Sequence, residues 1–237
     1  MQSFEINSNQ INKIEKITAE EKNFRIKNLE FFNESGFPNK RLEDWKFSDL
    51  KEIINKNFDD LDTKKVSSNS AKINFIKDFE HNYIILVNGN LNSSNFNYEE
   101  KNKIKIKPYD KSIDYKTSKN PLVCLNHALA QNGFSLEIDK NYKFKKVLVI
   151  YNFFTKDLKN KILNNKNKIK LNENAELHVI EYTINESKSK FINNVYENII
   201  LEKNSKFKNL SIQNNKSEGF FHKFVKNKLF LNSNCSN

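Results

Sequence analysis

Over the last seventy residues apolar and polar positions alternate, and the alternation recurs. Ile169-Lys170-Leu171-Asn172-Glu173-Asn174-Ala175-Glu176-Leu177 aligns with Ile199-Ile200-Leu201-Glu202-Lys203-Asn204-Ser205-Lys206-Phe207, and that with Leu229-Phe230-Leu231-Asn232-Ser233-Asn234-Cys235-Ser236-Asn237. From Ile169 to Ile199 to Leu229 the shift is 30 residues each time. Alternation before Asn predicts a strand with one buried face, and Asn followed by Ala, Ser or Cys predicts a tight corner with no room for a large side chain. Alternation resumes after the corner at Leu177 and Val179, and again at Phe207, Leu210 and Ile212, so one period holds two strands and two corners. A single coil cannot bury its apolar face alone, so a fixed period of this size predicts stacked coils, a parallel β-helix. In this alignment Cys235 takes the small-residue position of Ala175 and Ser205, and His178 matches the solvated Lys208. No capping coil follows the third copy, which predicts an incomplete version of a longer solenoid.

Upstream the pattern is mixed. Thr18 with Glu21 has the form of a capping box, Phe24, Phe31 and Phe32 follow at helical spacing, and Gly36 with Pro38 ends the predicted helix over 18–34. Residues 57–72, with Ser67-Ser68-Asn69-Ser70, read as a linker. Strands are predicted at 73–76 and 83–87, with Asn88-Gly89 as a tight turn leading toward Leu91, and at Ile104–Ile106 before Pro108. Asn120-Pro121 opens a second helix with Leu122, Leu125, Ala128 and Leu129 on its apolar side, ending at Gly133. Phe134–Ile138 returns to strand alternation, and Lys146–Ile150 enters the coils. The fold class is therefore mixed α+β: a helical and mixed region over 1–140, then an incomplete parallel β-helix over 141–237.

The chain of 237 residues is 37% hydrophobic and has 20 Phe, enough for a core. No window is long and apolar enough for a membrane span, and Met1–Asn7 lacks an export signal, so the expected location is the cytoplasm. A formal charge of +11 invites a nucleic-acid reading, but of 40 basic residues only Arg25 and Arg41 are arginine, the residue that grips phosphate and guanine with a fixed fork. The lysines are spread over nearly every segment, so they are read as solvated surface, and no nucleic-acid partner is expected.

Gly36-Phe37-Pro38-Asn39-Lys40-Arg41-Leu42-Glu43-Asp44-Trp45-Lys46-Phe47-Ser48-Asp49-Leu50 holds the single Trp of the chain. On physical grounds it is a packed turn in which Trp45 and Phe47 bury against the first helix while Arg41, Glu43, Asp44 and Lys46 pair at the surface. The same stretch resembles the N-terminal signature of the SufB/SufD family of iron–sulfur cluster assembly scaffolds, and more closely its SufD branch. Tyr83–Gly89 and Leu122–Gly133, with Leu125-Asn126-His127-Ala128-Leu129 at its centre, are similar to the same family. The resemblance implies a right-handed β-helix core, a non-catalytic role, and pairing with a SufB-type subunit and a SufC-type ATPase. It also implies that an iron–sulfur cluster belongs to the assembled complex, no cofactor being bound by this chain alone. The cluster-building residues are expected toward the family's C-terminal side, so none is carried over.

The residues themselves point to no catalytic, cofactor or metal site. Cys124 and Cys235 cannot hold a cluster between them. Cys124 and His127 lie three apart on the second helix, but two ligands leave a four-coordinate site unfilled, and buried Cys is commonly a small hydrophobe. None of Gly36, Gly89, Gly133 and Gly219 is followed by Lys-Ser or Lys-Thr, so no phosphate-cradling loop is present. Two alternatives stand beside the SufD-like reading: the SufB branch, and an unrelated β-helix module for polysaccharide. The last needs clustered carboxylates or stacked aromatics on one coil face, and Glu181, Glu197 and Glu202 do not share a repeat register.

Overall fold

The structure is a computed structural model that describes residues 4–64, 66, 73–109, 118–213 and 218–236. Four helices, α1 (Asn9–Asn12), α2 (Ala19–Ser35), α3 (Leu50–Asn57) and α4 (Pro121–Leu129), accompany eleven strands. The strands are β1 (Asn82–Val87), β2 (Asn90–Asn95), β3 (Ile104–Pro108), β4 (Asn132–Ile138), β5 (Leu148–Phe154) and β6 (Ile162–Leu171). They continue as β7 (Glu176–Asn185), β8 (Phe191–Leu201), β9 (Lys206–Ile212), β10 (Gly219–Leu229) and β11 (Asn234–Ser236). Their order is β10-β8-β6-β4-β2-β1-β5-β7-β9-β11, with β3 beside β4. Strands two apart in sequence pair in parallel, which is the wiring of a β-solenoid of about three turns. Because β1 pairs β5 and β4 pairs β6, the two sheets already include strands before residue 141.

Corners and stacking follow from residue chemistry. Asn141, Asn174, Asn204 and Asn232 all have positive φ, between 55° and 61°, a conformation that a short amide side chain tolerates better than most residues. They also stack: Asn204 Nδ2 donates to Asn174 Oδ1 at 2.9 Å, and Asn174 Nδ2 to Asn141 Oδ1 at 2.7 Å. Asn88 and Gly89, likewise at positive φ, make the predicted hairpin turn between β1 and antiparallel β2. Between the sheets lies one apolar core of Leu136, Ile138, Leu148, Ile150, Ile169, Leu171, Leu177, Ile199, Leu201 and Phe207.

The register corrects the sequence alignment at its third copy. Ile169 pairs Ile199 at a shift of 30, but Ile199 then pairs Asn227, and Leu229 pairs Leu201, a shift of 28. The two residues are lost at one corner: Tyr182 to Phe191 spans 9 positions, whereas the matching Ile212 to Gly219 spans 7. The corner residue of the last coil is thus Asn232 rather than Asn234. Leu229 is 52% exposed and does not stack on Ile199.

The helical part packs on the outside of the even-numbered sheet, in a second core that joins Leu29, Phe32, Phe37, Ile54, Leu122 and Leu125 to Ile162 and Ile192. In α2, Thr18 accepts from Glu21 N at 3.1 Å as predicted, but the Glu21 carboxylate turns to Arg25 instead of closing the box. Its buried face is Glu21, Arg25, Asn28, Leu29 and Phe32; of the expected stripe Phe32 is buried, while Phe24 and Phe31 are half-buried. All nine residues of α4 are buried, and it ends at Leu129, with Ala130 as its extended C-cap. Gly133 lies inside β4 with φ of 122°, where a Cβ would come within 1.8 Å of Lys166 O. That close approach, rather than a helix end, accounts for the glycine. Residues 73–76 form no strand; Ile73 and Ile76 pack as irregular chain on the outer face of β1 and β5. The Ser67–Ser70 part of the expected linker lies outside the described residues.

Candidate functional site

Inward-facing positions of a solenoid strand are every second residue, and in β8 these are Val195, Glu197, Ile199 and Leu201. Glu197 therefore points into the lumen beside the apolar rows, and β7 sends Glu181 inward from the facing sheet. Both meet Lys223 of β10, whose Nζ lies 2.6 Å from Glu181 Oε1 and 2.7 Å from Glu197 Oε2. Asn209 of β9 donates to Glu181 Oε1 at 2.8 Å. Burial pushes the Glu197 carboxyl up. Burial also opposes the charge on Lys223, but the two carboxylates outweigh it and hold the ammonium on.

The absence of a shared repeat register did not keep these glutamates apart, because they converge across the lumen from opposite sheets. Glu202 stays at the outer corner, in a groove with Glu173 and Lys203. Once the strand faces are known, Asn165, Asn167, Glu197 and Lys223 fall at inward positions beside apolar residues, a placement that local patterning does not reveal. Chemically the trio is one ammonium shared by two carboxylates, closed upon itself.

Cys235 pairs with Phe207 and extends the inward row of Leu177 and Phe207. The two-residue shortening thus moves it from the small corner position to the lumen edge. Its Sγ is 4.0 Å from Asn227 Oδ1, and burial, then the Glu197 charge, raises its pKa. Cys124 is buried in α4, donates its Sγ–H to Ser118 O at 3.3 Å, and is pushed up to about 11 by burial. His127 lies between the rings of Phe24 and Tyr196 and is lowered to about 3 by burial and by the charges of Lys166, Lys226 and Arg25. Among the described residues no three His, Cys, Asp or Glu side chains gather as a group. His178 is exposed, in register with Lys208, with Nε2 3.4 Å from Glu176 Oε1.

Asparagines fasten α4 to the sheet. Asn126 Nδ2 donates to Asn165 O and Asn194 O, both at 2.9 Å, and Asn194 Nδ2 returns to Leu122 O at 2.9 Å. Arg25, one of the two arginines, is fully buried and donates to Ala128 O and Ala130 O, closing the end of α4. In the 36–50 stretch Phe37 and Pro38 are buried, but Phe47 is 89% exposed and Trp45 is only half-buried. Trp45 packs against the core that includes Leu29 and Phe32 of α2, and its ring also meets His222 of β10, ring centroids 5.8 Å apart. No ion pair joins Arg41, Glu43, Asp44 and Lys46 among the described residues; Lys46 lies over the Phe47 ring. The cause is geometric, since a short 3-10 turn over Glu43–Trp45 faces only one ring inward.

At the far end β10 and β11 are the outermost strands, and Leu210, Leu229, Phe230 and Leu231 are exposed there. No helix is long and apolar enough to cross a membrane among the described residues. No family model matches the chain, and no curated protein matches it.

Proposed function

We propose that the chain is a SufD-like scaffold subunit of iron–sulfur cluster assembly, without catalysis of its own, working in the cytoplasm beside a SufB-type subunit and a SufC-type ATPase. The observation that carries this reading is the seat of the 36–50 signature. The stretch that resembles the family packs through Trp45 against His222 of β10, so signature and solenoid belong to one packed unit. The order of helical part first and solenoid second also suits it. The iron–sulfur cluster is cargo of the complex. Depletion of this chain in its host tests the reading: the activity of cluster-dependent enzymes is expected to fall while their protein levels hold. Unchanged activities would remove it.

One observation favours the polysaccharide reading as a second. Phe75, Phe79, Tyr83 and Tyr98 line an open groove of about 430 Å³ with Asp78, Glu80 and His81 on the outside of the solenoid. Exposed rings beside polar groups are how sugar faces are held. Binding of this chain on a glycan array that is lost on Phe79→Ala would support it, and an empty array would retire it.

A further inference from the structure

We propose that the outer face of β7 and β9 is a docking surface for an extended, uncharged segment of a protein partner that carries branched apolar residues at i and i+3. The proposal goes beyond the scaffold reading and does not depend on it. Strand register assembles the face. Residues paired across neighbouring strands point to the same side, with rows about 6.7 Å apart and strands about 4.8 Å apart. One row runs Tyr83, Val149, Ile180, Leu210, and the next runs Ile85, Tyr151, Tyr182, Ile212. A third runs Val87, Phe153, Ile184. None of these eleven residues is charged. The inward neighbours Leu148, Ile150, Leu177 and Val179 are core, so the parity is fixed by packing. Beyond the first row lie His178 and Lys208, a polar rim.

Cover thins from one side of this face to the other. On β1 and β5, Ile85, Val87, Val149, Tyr151 and Phe153 are buried, with Ile73 and Ile76 of the irregular stretch 73–76 in the same cluster. On β7, Ile180, Tyr182 and Ile184 are only half-buried, and on β9 Leu210 is 58% and Ile212 41% exposed. The covered side shows what the open side would take. Ile76 N donates to the Tyr151 hydroxyl at 3.0 Å, so irregular backbone is held here by a tyrosine as well as by apolar contact. Tyr182 is the register partner of Tyr151 one strand on, its ring edge-on to Tyr151 with centroids 6.0 Å apart. Among the described residues its hydroxyl makes no hydrogen bond. Beside the uncovered residues it thus repeats the acceptor that Tyr151 offers to Ile76.

Geometry and chemistry choose the occupant. A helix spends its backbone N–H groups on itself beyond the first turn, whereas extended or irregular chain leaves them open to a hydroxyl. A second copy needs about 800 Å² on each partner, and two strands by three rows offer only about 10 Å by 20 Å. Nucleic acid finds no cation among the eleven residues, and the aliphatic Ile180, Ile184, Leu210 and Ile212 around Tyr182 give a sugar no platform of rings.

The probe is a fluorescein-labelled peptide with the sequence of residues 73–76 between Gly-Ser flanks, titrated with the full chain and read by anisotropy. Binding to the wild type is expected, and a control peptide with asparagine at both isoleucine positions is expected to bind roughly tenfold or more weakly. L210S/I212S is expected to weaken binding roughly tenfold or more, and Tyr182→Phe, which removes only the hydroxyl, about fivefold. Circular dichroism and thermal melts check that each variant folds. No binding to the wild type overturns the proposal. Binding that both variants leave unchanged overturns it too, since the peptide then sits elsewhere, as in place of its own segment. Dimerisation of the wild type that L210S/I212S abolishes reassigns the face to a second copy and also overturns it.

Discussion

Asn204 holds φ of 58° at a corner where the chain must turn under a stacked neighbour, and its amide donates to Asn174. Alanine there loses the stacking bond and forces a Cβ residue without local polar support into the left-handed region, so Asn204→Ala is expected to cost about 1–2 kcal/mol in urea unfolding. Asn204→Gly, which relieves the backbone, is expected to cost less than half as much. Lys223→Met leaves Glu181 and Glu197 facing each other without a cation and is expected to cost about 3 kcal/mol, with Glu197→Gln added on top restoring part of it. Two histidines contribute to the acid sensitivity, beside the depressed carboxyls of Asp62 and Glu137. His127 and His222 are held neutral by burial, near 3 and near 4, so they contribute stability fully above the ordinary value of 6.5 and lose it as pH falls below. Thermal melts from pH 7 to pH 4 are expected to show a loss approaching about 1.4 kcal/mol per pH unit for each histidine, and His127→Phe is expected to flatten the slope. The corner asparagines Asn174 and Asn204 were legible in the sequence because each precedes a small residue, whereas Asn141, followed by Tyr142, and Asn232 carry no such signal in the alignment. Lys223 was not legible, because its meaning depends on which way one strand faces and on two partners 42 and 26 residues away.

At the scale of elements, the helix starts, the hairpin turn and the apolar side of α4 read true, while the buried face of α2 did not. Thr18, Asn120-Pro121 and Asn88-Gly89 act through neighbours within three residues, and each sits where its chemistry placed it. The buried face of α2 escaped because Arg25 is its centre: a buried guanidinium is invisible to an apolar stripe until the carbonyls of Ala128 and Ala130 are seen to receive it. Gly133 misled in the same way, since its need is a neighbouring strand and not the helix before it. Gly133→Ala is expected to cost about 3 kcal/mol or to prevent folding, because the methyl meets the backbone of Lys166, which cannot move without breaking the β4–β6 ladder. Alanine at Gly36, where nothing lies within 4 Å, carries backbone strain alone and is the control with the smaller loss.

The molecule as a whole is a short stack whose coils lean on their neighbours. The 30-residue repeat was legible for the pair that keeps it, and the last coil was misaligned because Asn-Cys at 234–235 imitates Asn-Ala and Asn-Ser while the true corner, Asn232, lies two residues earlier. No pattern in one strand announces a shorter loop before it. The same register lined up eleven uncharged residues on the outer face of β1, β5, β7 and β9, a fact hidden from any count along the chain. Scaffold function in this account means that the solenoid and the Trp45 turn present fixed surfaces to other subunits, with Leu231 at 66% exposure and the outermost strands β10 and β11 at one end. Native mass spectrometry of the chain co-expressed with a SufB-type subunit and a SufC-type ATPase tests that most directly. One assembly containing all three chains, dissociated by high salt, is expected; this chain flying alone beside an assembled pair of the other two would contradict the scaffold role.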